Sequence, residues 1–377
     1  ISNRCANNCL YCGFRQENEP AVRQTLTRSE IVREAACLFD RGYRRLLLVA
    51  GEDRVSSSLN YLIDAIRGIY TETGIRIVHV NAAPMTMEAF SELKRAGAGV
   101  YQCFQETYHR ATYARMHPRG PKSNFDWRFS VMHRAMAAGF DDVGMGALFG
   151  LYDYRFEVLS LIAHARALEE DYGVGPHTVS VPRLQPAQGA ALSKVPYPVS
   201  DETFKTIVAT LRLAIPYAGV VVSTRESAPL RDQVIRCGVS QISAGSRTDI
   251  GGYTGENKRL SRTAQFSLSD QRTLDETVRA VMAAGLTPSL CTACYRSGRT
   301  GETFRSAAER GELGNLCDIN AILSLVEYMG GHADPQTRGR IKAHIGHLIR
   351  SMDDPRRRRE IEDLLNGEDR QAEDLHF

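Results

Sequence analysis

Seven short β-rich apolar runs alternate with segments of helical period between residues 27 and 290, and this alternation limits the fold more than any other feature. The runs are Arg45–Glu52, Ile75–Asn81, Gly99–Glu106, Asp142–Gly150, His177–Leu184, Gly219–Glu226 and Gln241–Ser246. Helical periodicity covers roughly 58–70, 86–96, 125–138, 154–171, 200–215, 228–237 and 269–284. An earlier helix opens with Thr27-Arg28-Ser29-Glu30, a capping box, and closes at Gly42. Strands alternating with helices call for a parallel sheet with crossover connections. Seven strands are one short of a (β/α)8 TIM barrel, and the missing one would lie just before Cys5. The chain begins with Ile1 rather than Met, so a piece lacking its natural N-terminus, with the first strand truncated, is expected. The expected fold is therefore α/β: a barrel over 1–290 and a C-terminal helical region over 291–377. In such barrels the loops at the C-terminal strand ends carry the chemistry.

The chain has 47 basic and 44 acidic side chains, a net charge of +3, which predicts no nucleic-acid partner. Arg356–Arg359 lies between acidic stretches and reads as a solvated helix face. No apolar run approaches the roughly 18–20 residues of a membrane span and no signal peptide opens the chain, so a cytoplasmic location is expected. Nine cysteines is an odd number, and six of them form two tight clusters. Without a secretion signal, such clusters bind metal more often than they form disulfides. Cys37, Cys103 and Cys237 stand singly in apolar surroundings and read as small buried hydrophobes.

Cys5-Ala-Asn-Asn-Cys9-Leu-Tyr-Cys12 has the form C-x3-C-x2-C. Three thiolates on one loop can take three irons of a [4Fe–4S] cubane, leaving the fourth iron open. A zinc site with a ligand from elsewhere is the alternative, although zinc knuckles favour paired C-x2-C motifs. The loop, with Tyr11 in its aromatic position, resembles the signature of the radical S-adenosylmethionine (SAM) superfamily. That resemblance implies SAM chelating the open iron, and the cofactor then supplies the hard chemistry. It also implies that Gly51-Glu52, ending a strand, receives the SAM amino group, and that Glu106 and Arg128 contact SAM, the Arg128 guanidinium pairing with the SAM carboxylate. Gly144-Met145-Gly146 would let backbone approach a ligand closely.

Cys291-Thr-Ala-Cys294 is followed after 22 residues by Cys317, again three thiolates without a fourth. A second [4Fe–4S] cluster with one free iron fits this set; a structural zinc or a redox pair is the alternative. The runs VGMGALFGLYDYRFEVL and SVPRLQPA resemble the tyrosine-cleaving branch of the superfamily, which includes the thiamine-pathway 2-iminoacetate synthase and the [FeFe]-hydrogenase maturation tyrosine lyase. CTACYRSGRTGE, the cysteine spacing and Gly175-Pro176-His177-Thr178 resemble the second of these. Phe304–Leu316 departs from that pattern in detail. The resemblance implies an additional labile iron at the second cluster with His177 among its ligands, at the mouth-side edge of its strand. It implies L-tyrosine as substrate, p-cresol and dehydroglycine as products, onward conversion to carbon monoxide and cyanide, and other hydrogenase maturation proteins as partners. A free amino acid needs a cation for its carboxylate, for which Arg225 is the first candidate, with Arg183, Ser243 and Ser246 as further contacts. Competing readings are a lyase that stops at 2-iminoacetate, a paralogue acting on another amino acid, and a non-enzymatic iron–sulfur scaffold.

Overall fold

The structure, a computed structural model, describes residues 1–255, 263–352 and 355–366. Seven strands form one sheet in sequence order: β1 (Arg45–Val49), β2 (Ile77–Asn81), β3 (Ala98–Gln102), β4 (Val143–Gly146), β5 (Thr178–Ser180), β6 (Gly219–Val222) and β7 (Gln241–Ile242). Every pairing is parallel, with registers such as Leu48↔Val80 and Met145↔Val179. This is the curled (β/α) barrel sheet that the alternation predicts. At its first edge Ser2 forms a parallel bridge with Ala50, and Gly51 N–H donates to Ser2 O at 2.9 Å. Ile1 and Ser2 thus lie where the end of a leading strand was expected.

The helices present one apolar face each to the sheet. Leu59–Glu72 buries Leu62, Ile63, Ile66 and Ile69, the i, i+4, i+7 stripe of an amphipathic helix. The Thr27–Glu30 capping box forms as read: Glu30 N–H donates to Thr27 Oγ1, and Thr27 N–H to Glu30 Oε2 at 2.7 Å. Expected helix 125–138 divides at Ser130 into Phe125–Phe129 and Val131–Ala137. Arg110–Met116 is a helix that the periodicity did not indicate. The strands are shorter than their apolar runs, because Ala147, Leu148 and Phe149 stay buried in the turn beyond β4 without extending its ladder.

A second apolar core joins Leu274 and Val278 to Ile319, Ile322, Leu325, Tyr328, Ile341 and Ile345. Helices Leu313–Gly331 and Pro335–Arg350 belong to it. Glu327 fixes this unit to the barrel by ion pairs with Arg44 (2.9 Å) and Arg76 (2.7 Å). Of the expected C-terminal region, residues 353–354 and 367–377 lie outside the described residues. Among those described, no helix is long and apolar enough to cross a membrane. Cys103 is buried as expected, whereas Cys37 and Cys237 are only partly so.

Candidate active site

The first cysteine loop lies across the C-terminal strand ends. Its backbone is pinned on several sides: Ala6 N–H donates to Glu52 O (2.8 Å), Leu10 N–H to Met116 O (3.1 Å) and Gly13 N–H to Gln265 O (3.0 Å). Cys5, Cys9 and Cys12 line a pocket of about 110 Å3 together with Gly51, Glu52, Glu106, Lys122, Arg128 and Arg225. Gly51 is required by this loop, since a Cβ there would stand 2.3 Å from Arg4 O and 3.2 Å from Cys5 Cβ. All nine cysteines are free thiols. Burial pushes the Cys12 thiol up to about 11, with Cys5 adding to the effect; a metal binds only the thiolate and so must displace these protons. Among the described residues no three His, Cys, Asp or Glu side chains gather around one point as ligands of a single ion do. A cubane instead takes each thiolate on a separate iron, and three thiols beside two carboxylates and three cations suit a cubane with a zwitterionic chelator.

The charged groups are interlocked. Glu52 accepts from Arg128 Nη1 at 2.6 Å and from Asn7 Nδ2 at 2.7 Å. Glu106 accepts from Lys122 Nζ at 2.6 Å, with Arg128 Nη2 at 3.8 Å. Burial raises both carboxyls, but Arg128 and Lys122 outweigh it at Glu52, as Lys122 and Arg128 do at Glu106, and both end below the ordinary carboxylate range. Arg128 also donates to Phe104 O at 2.7 Å, so it braces the two acids rather than standing open. Tyr11 lies under the same cluster of charge: its hydroxyl donates to His117 Nε2 at 2.8 Å, while His117 Nδ1 donates to Tyr113 O.

Arg225 reaches the pocket stacked on the Phe266 ring at 3.4 Å. Burial lowers its guanidinium to about 10 against the pull of Glu106, and no ion pair engages it among the described residues. Arg183 is placed differently. It pairs with Glu226 and Asp201 and donates to Val199 O, which makes it a rim brace. Ser243 and Ser246 line a second, larger cavity of about 490 Å3, which shares Phe14, Val49, Gln265 and Phe266 with the thiol pocket and extends to Ser289 and Leu290. Gly144 and Gly146 make room for protein, not ligand: added Cβ atoms would meet Gln102 and Thr178, and Ser180 O and Phe104.

The second cysteine set lies at the opposite end. Burial raises the Cys317 thiol, and the charges of Cys294 and Cys291 add to this. Tyr295, next to Cys294, packs its ring 6.0 Å from that of His177. The mouth-side placement of His177 is corrected: it precedes β5, its N–H donates to Val143 O and its carbonyl accepts from Gly219 N–H. In a parallel sheet the residue before a strand lies on the floor, away from the C-terminal ends. Asp142, likewise before β4, faces His177 Nδ1 at 3.4 Å and accepts from Gly301 N–H at 3.1 Å.

Lys122, Asn7, Phe266 and Asp142 were not singled out by sequence. Asn7 lies inside the cysteine motif, which could have flagged it; Lys122 sits in a 3-10 turn, Pro121–Ser123, where no periodicity marks it.

A three-thiol loop over the mouth of a parallel (β/α) sheet, backed by paired acids and cations, defines a radical SAM enzyme. Residues 1–162 match the radical SAM superfamily model and residues 180–287 the biotin and thiamin synthesis associated domain. The 2-iminoacetate synthase of Escherichia coli (strain K12) is 36% identical over 295 residues, 76% of this chain and 74% of that protein. A crystal structure of HydG, a maturase of the [FeFe]-hydrogenase, superposes with TM-score 0.95 at 45% identity, covering 100% of this chain and 82% of the other. HydG from Carboxydothermus hydrogenoformans gives 0.86 at 42% identity, covering 97% and 80%. The chain belongs to the radical SAM superfamily and, within it, to the lyase family that 2-iminoacetate synthase and HydG share.

Proposed function

We propose that the chain cleaves the Cα–Cβ bond of L-tyrosine to p-cresol and dehydroglycine, and that a second iron–sulfur site converts dehydroglycine to carbon monoxide and cyanide for assembly of an [FeFe]-hydrogenase centre. The observation that carries the reading is the pair of three-thiol sets at opposite ends of one barrel, with a cavity of about 490 Å3 leading from the mouth pocket toward Leu290, next to Cys291. A lyase that releases 2-iminoacetate has no use for the floor set.

Cys5, Cys9 and Cys12 would hold the first cubane, and Cys291, Cys294 and Cys317 the second, with His177 ligating an additional labile iron. When bound, the reduced cluster and SAM supply a carbon-centred radical able to take a hydrogen atom from the substrate amine. The chain's own residues set the stage for that. Glu52 and Glu106 offer acceptors to an ammonium group; Arg128 and Lys122 hold those acids ionised. Arg225, stacked on Phe266 with its donors uncommitted to an acid, offers a fork for the tyrosine carboxylate. The enclosing pocket wall excludes water from a reactive radical. Other hydrogenase maturation proteins would receive the product.

The test is anaerobic reconstitution of the full-length protein with SAM, reductant and tyrosine, with p-cresol, cyanide and carbon monoxide assayed together. All three are expected. Absence of p-cresol overturns the tyrosine-lyase reading; p-cresol alone leaves a simpler lyase. Replacing Cys291 and Cys294 by Ser should abolish carbon monoxide and spare p-cresol.

A further inference from the structure

Glu106 has φ of +69°, the only non-glycine residue among those described with a left-handed backbone. A residue with a Cβ is crowded there, and the conformation persists only where the surroundings impose it. The sheet fixes one side of the turn: Gln105 N–H donates to Gly146 O at 3.0 Å, and Leu148 N–H donates to Glu106 O at 2.7 Å. The other side is fixed from outside the sheet. Glu157, in the first turn of helix Tyr154–Tyr172, is wholly buried and uses both carboxylate oxygens on the two residues that follow Glu106. Thr107 Oγ1 donates to Oε1, and Tyr108 N–H donates to Oε2 at 2.9 Å. Thr107 is itself wholly buried, and its hydroxyl oxygen accepts from His109 N–H at 3.2 Å. The far end of Tyr108 is tied by its hydroxyl to His164 Nδ1 at 2.9 Å, on the same helix as Glu157.

A carboxylate buried without a salt-bridge partner among the described residues is a costly way to fasten a loop. Serine or asparagine would satisfy one donor at less cost. What the carboxylate offers is two acceptors in a fixed fork, aimed at two consecutive residues, and that fixes the direction in which the chain leaves Glu106. We propose that Glu157 is a positioning residue for SAM binding: by clamping Thr107 and Tyr108 it enforces the left-handed turn that delivers the Glu106 carboxylate to Lys122 and Arg128 in the thiol pocket. Glu157 touches no ligand itself and acts only through Glu106. The inference rests on the radical SAM reading of that pocket.

The experiment uses the full-length, cluster-reconstituted protein and measures SAM affinity by equilibrium dialysis for the unsubstituted chain, Glu157→Gln, Thr107→Val, the double variant and Thr107→Ser. Glutamine keeps one acceptor and loses the fork; serine keeps the hydroxyl. Hydrogen exchange over residues 104–110 is followed in parallel on protein without cluster. Glu157→Gln and Thr107→Val should each weaken SAM binding about tenfold, the double variant no further, and Thr107→Ser should bind as the unsubstituted chain does. The Tyr108 amide should exchange faster while helix Tyr154–Tyr172 remains protected. Unchanged SAM affinity in Glu157→Gln overturns the inference, as does weakened affinity with exchange raised throughout that helix, the mark of a merely structural role. Absence of SAM binding in the unsubstituted chain overturns the functional reading and this inference with it.

Discussion

Replacing Lys122 by Met removes a charge and keeps most of the volume, so it isolates what the ammonium does in the mouth pocket. The Lys122 and Glu106 side chains are 9% and 12% exposed, with Nζ 2.6 Å from Oε1. Removing one member of a buried pair leaves an uncompensated charge and costs about 3–5 kcal/mol. Here Arg128 Nη2 remains at 3.8 Å and takes up part of the loss, so a fall of about 2–4 kcal/mol is expected at pH 7. The pH dependence gives the mechanism away. Glu106 is held below its ordinary 4.5 in the folded chain despite its burial, first by Lys122 and then by Arg128. That contribution to stability is present above 4.5 and is lost as pH falls through the folded value. The difference between the two proteins should therefore be greatest at neutral pH and shrink as pH drops below about 4.5. Urea unfolding at a series of pH values measures it, as a lower midpoint at unchanged slope. Combining Lys122→Met with Glu106→Gln should show about 1–3 kcal/mol of coupling. A loss below about 0.5 kcal/mol at pH 7, with additive variants, would mean that the pair behaves like an exposed one and would refute the reasoning.

Three further outcomes follow from the geometry. Gly51→Ala places a Cβ 2.3 Å from a backbone oxygen of the cysteine loop and should lower iron incorporation at Cys5, Cys9 and Cys12; full iron content after reconstitution would contradict it. On the proposed reading of the floor site, Asp142→Asn removes the carboxylate facing His177 Nδ1 at 3.4 Å and should weaken ferrous iron binding there about tenfold or more, read by titration. Burial raises the Glu157 carboxyl to about 7 against the pull of Thr107 and Tyr108. Ionising the clamp therefore costs more in the folded than in the unfolded chain, a loss of ~3 kcal/mol that builds as pH rises from 4.5 to 7 and levels above, where the carboxylate fork is complete. Glu157→Gln should lack that slope; an identical slope in both proteins would contradict it.

Sequence periodicity exposed the barrel because each crossover helix must bury one stripe on a sheet that is itself buried on both faces. It overstated strand length for a related reason. Apolar runs report burial, and the turns leaving β3 and β4 at the mouth are as buried as the strands. Glu52, Glu106 and Arg128 are picked out by the resemblance of their motifs to the radical SAM superfamily, and the structure brings them together in one pocket. Lys122 is not. It comes from a 3-10 turn 16 residues beyond Glu106, and only the folded chain shows the two meeting. Glu157 was hidden in another way: in a helix of mixed polarity a lone glutamate reads as a solvated side chain, and its burial becomes visible only when Thr107 is found beneath it.

The misplacement of His177 shows what polarity in a parallel sheet decides. Every strand runs from floor to mouth, so a residue's side of the strand fixes which end of the barrel it serves. Glu52, Glu106, Arg183 and Arg225 all follow strands and gather at or around the mouth; Arg44, Arg76, Asp142 and His177 all precede strands and meet the C-terminal helices at the floor. One sheet can therefore supply side chains to both ends of the barrel by placing them before or after the same strands. The two sets share the sheet as a wall, with the cavity lined by Ser243 and Ser246 between them. On this logic a floor residue is recognised by its position just before a strand together with a partner from the helices beyond β7, and His177 beside Tyr295 meets both conditions. Moving such a residue by one strand length would place it at the other end of the barrel.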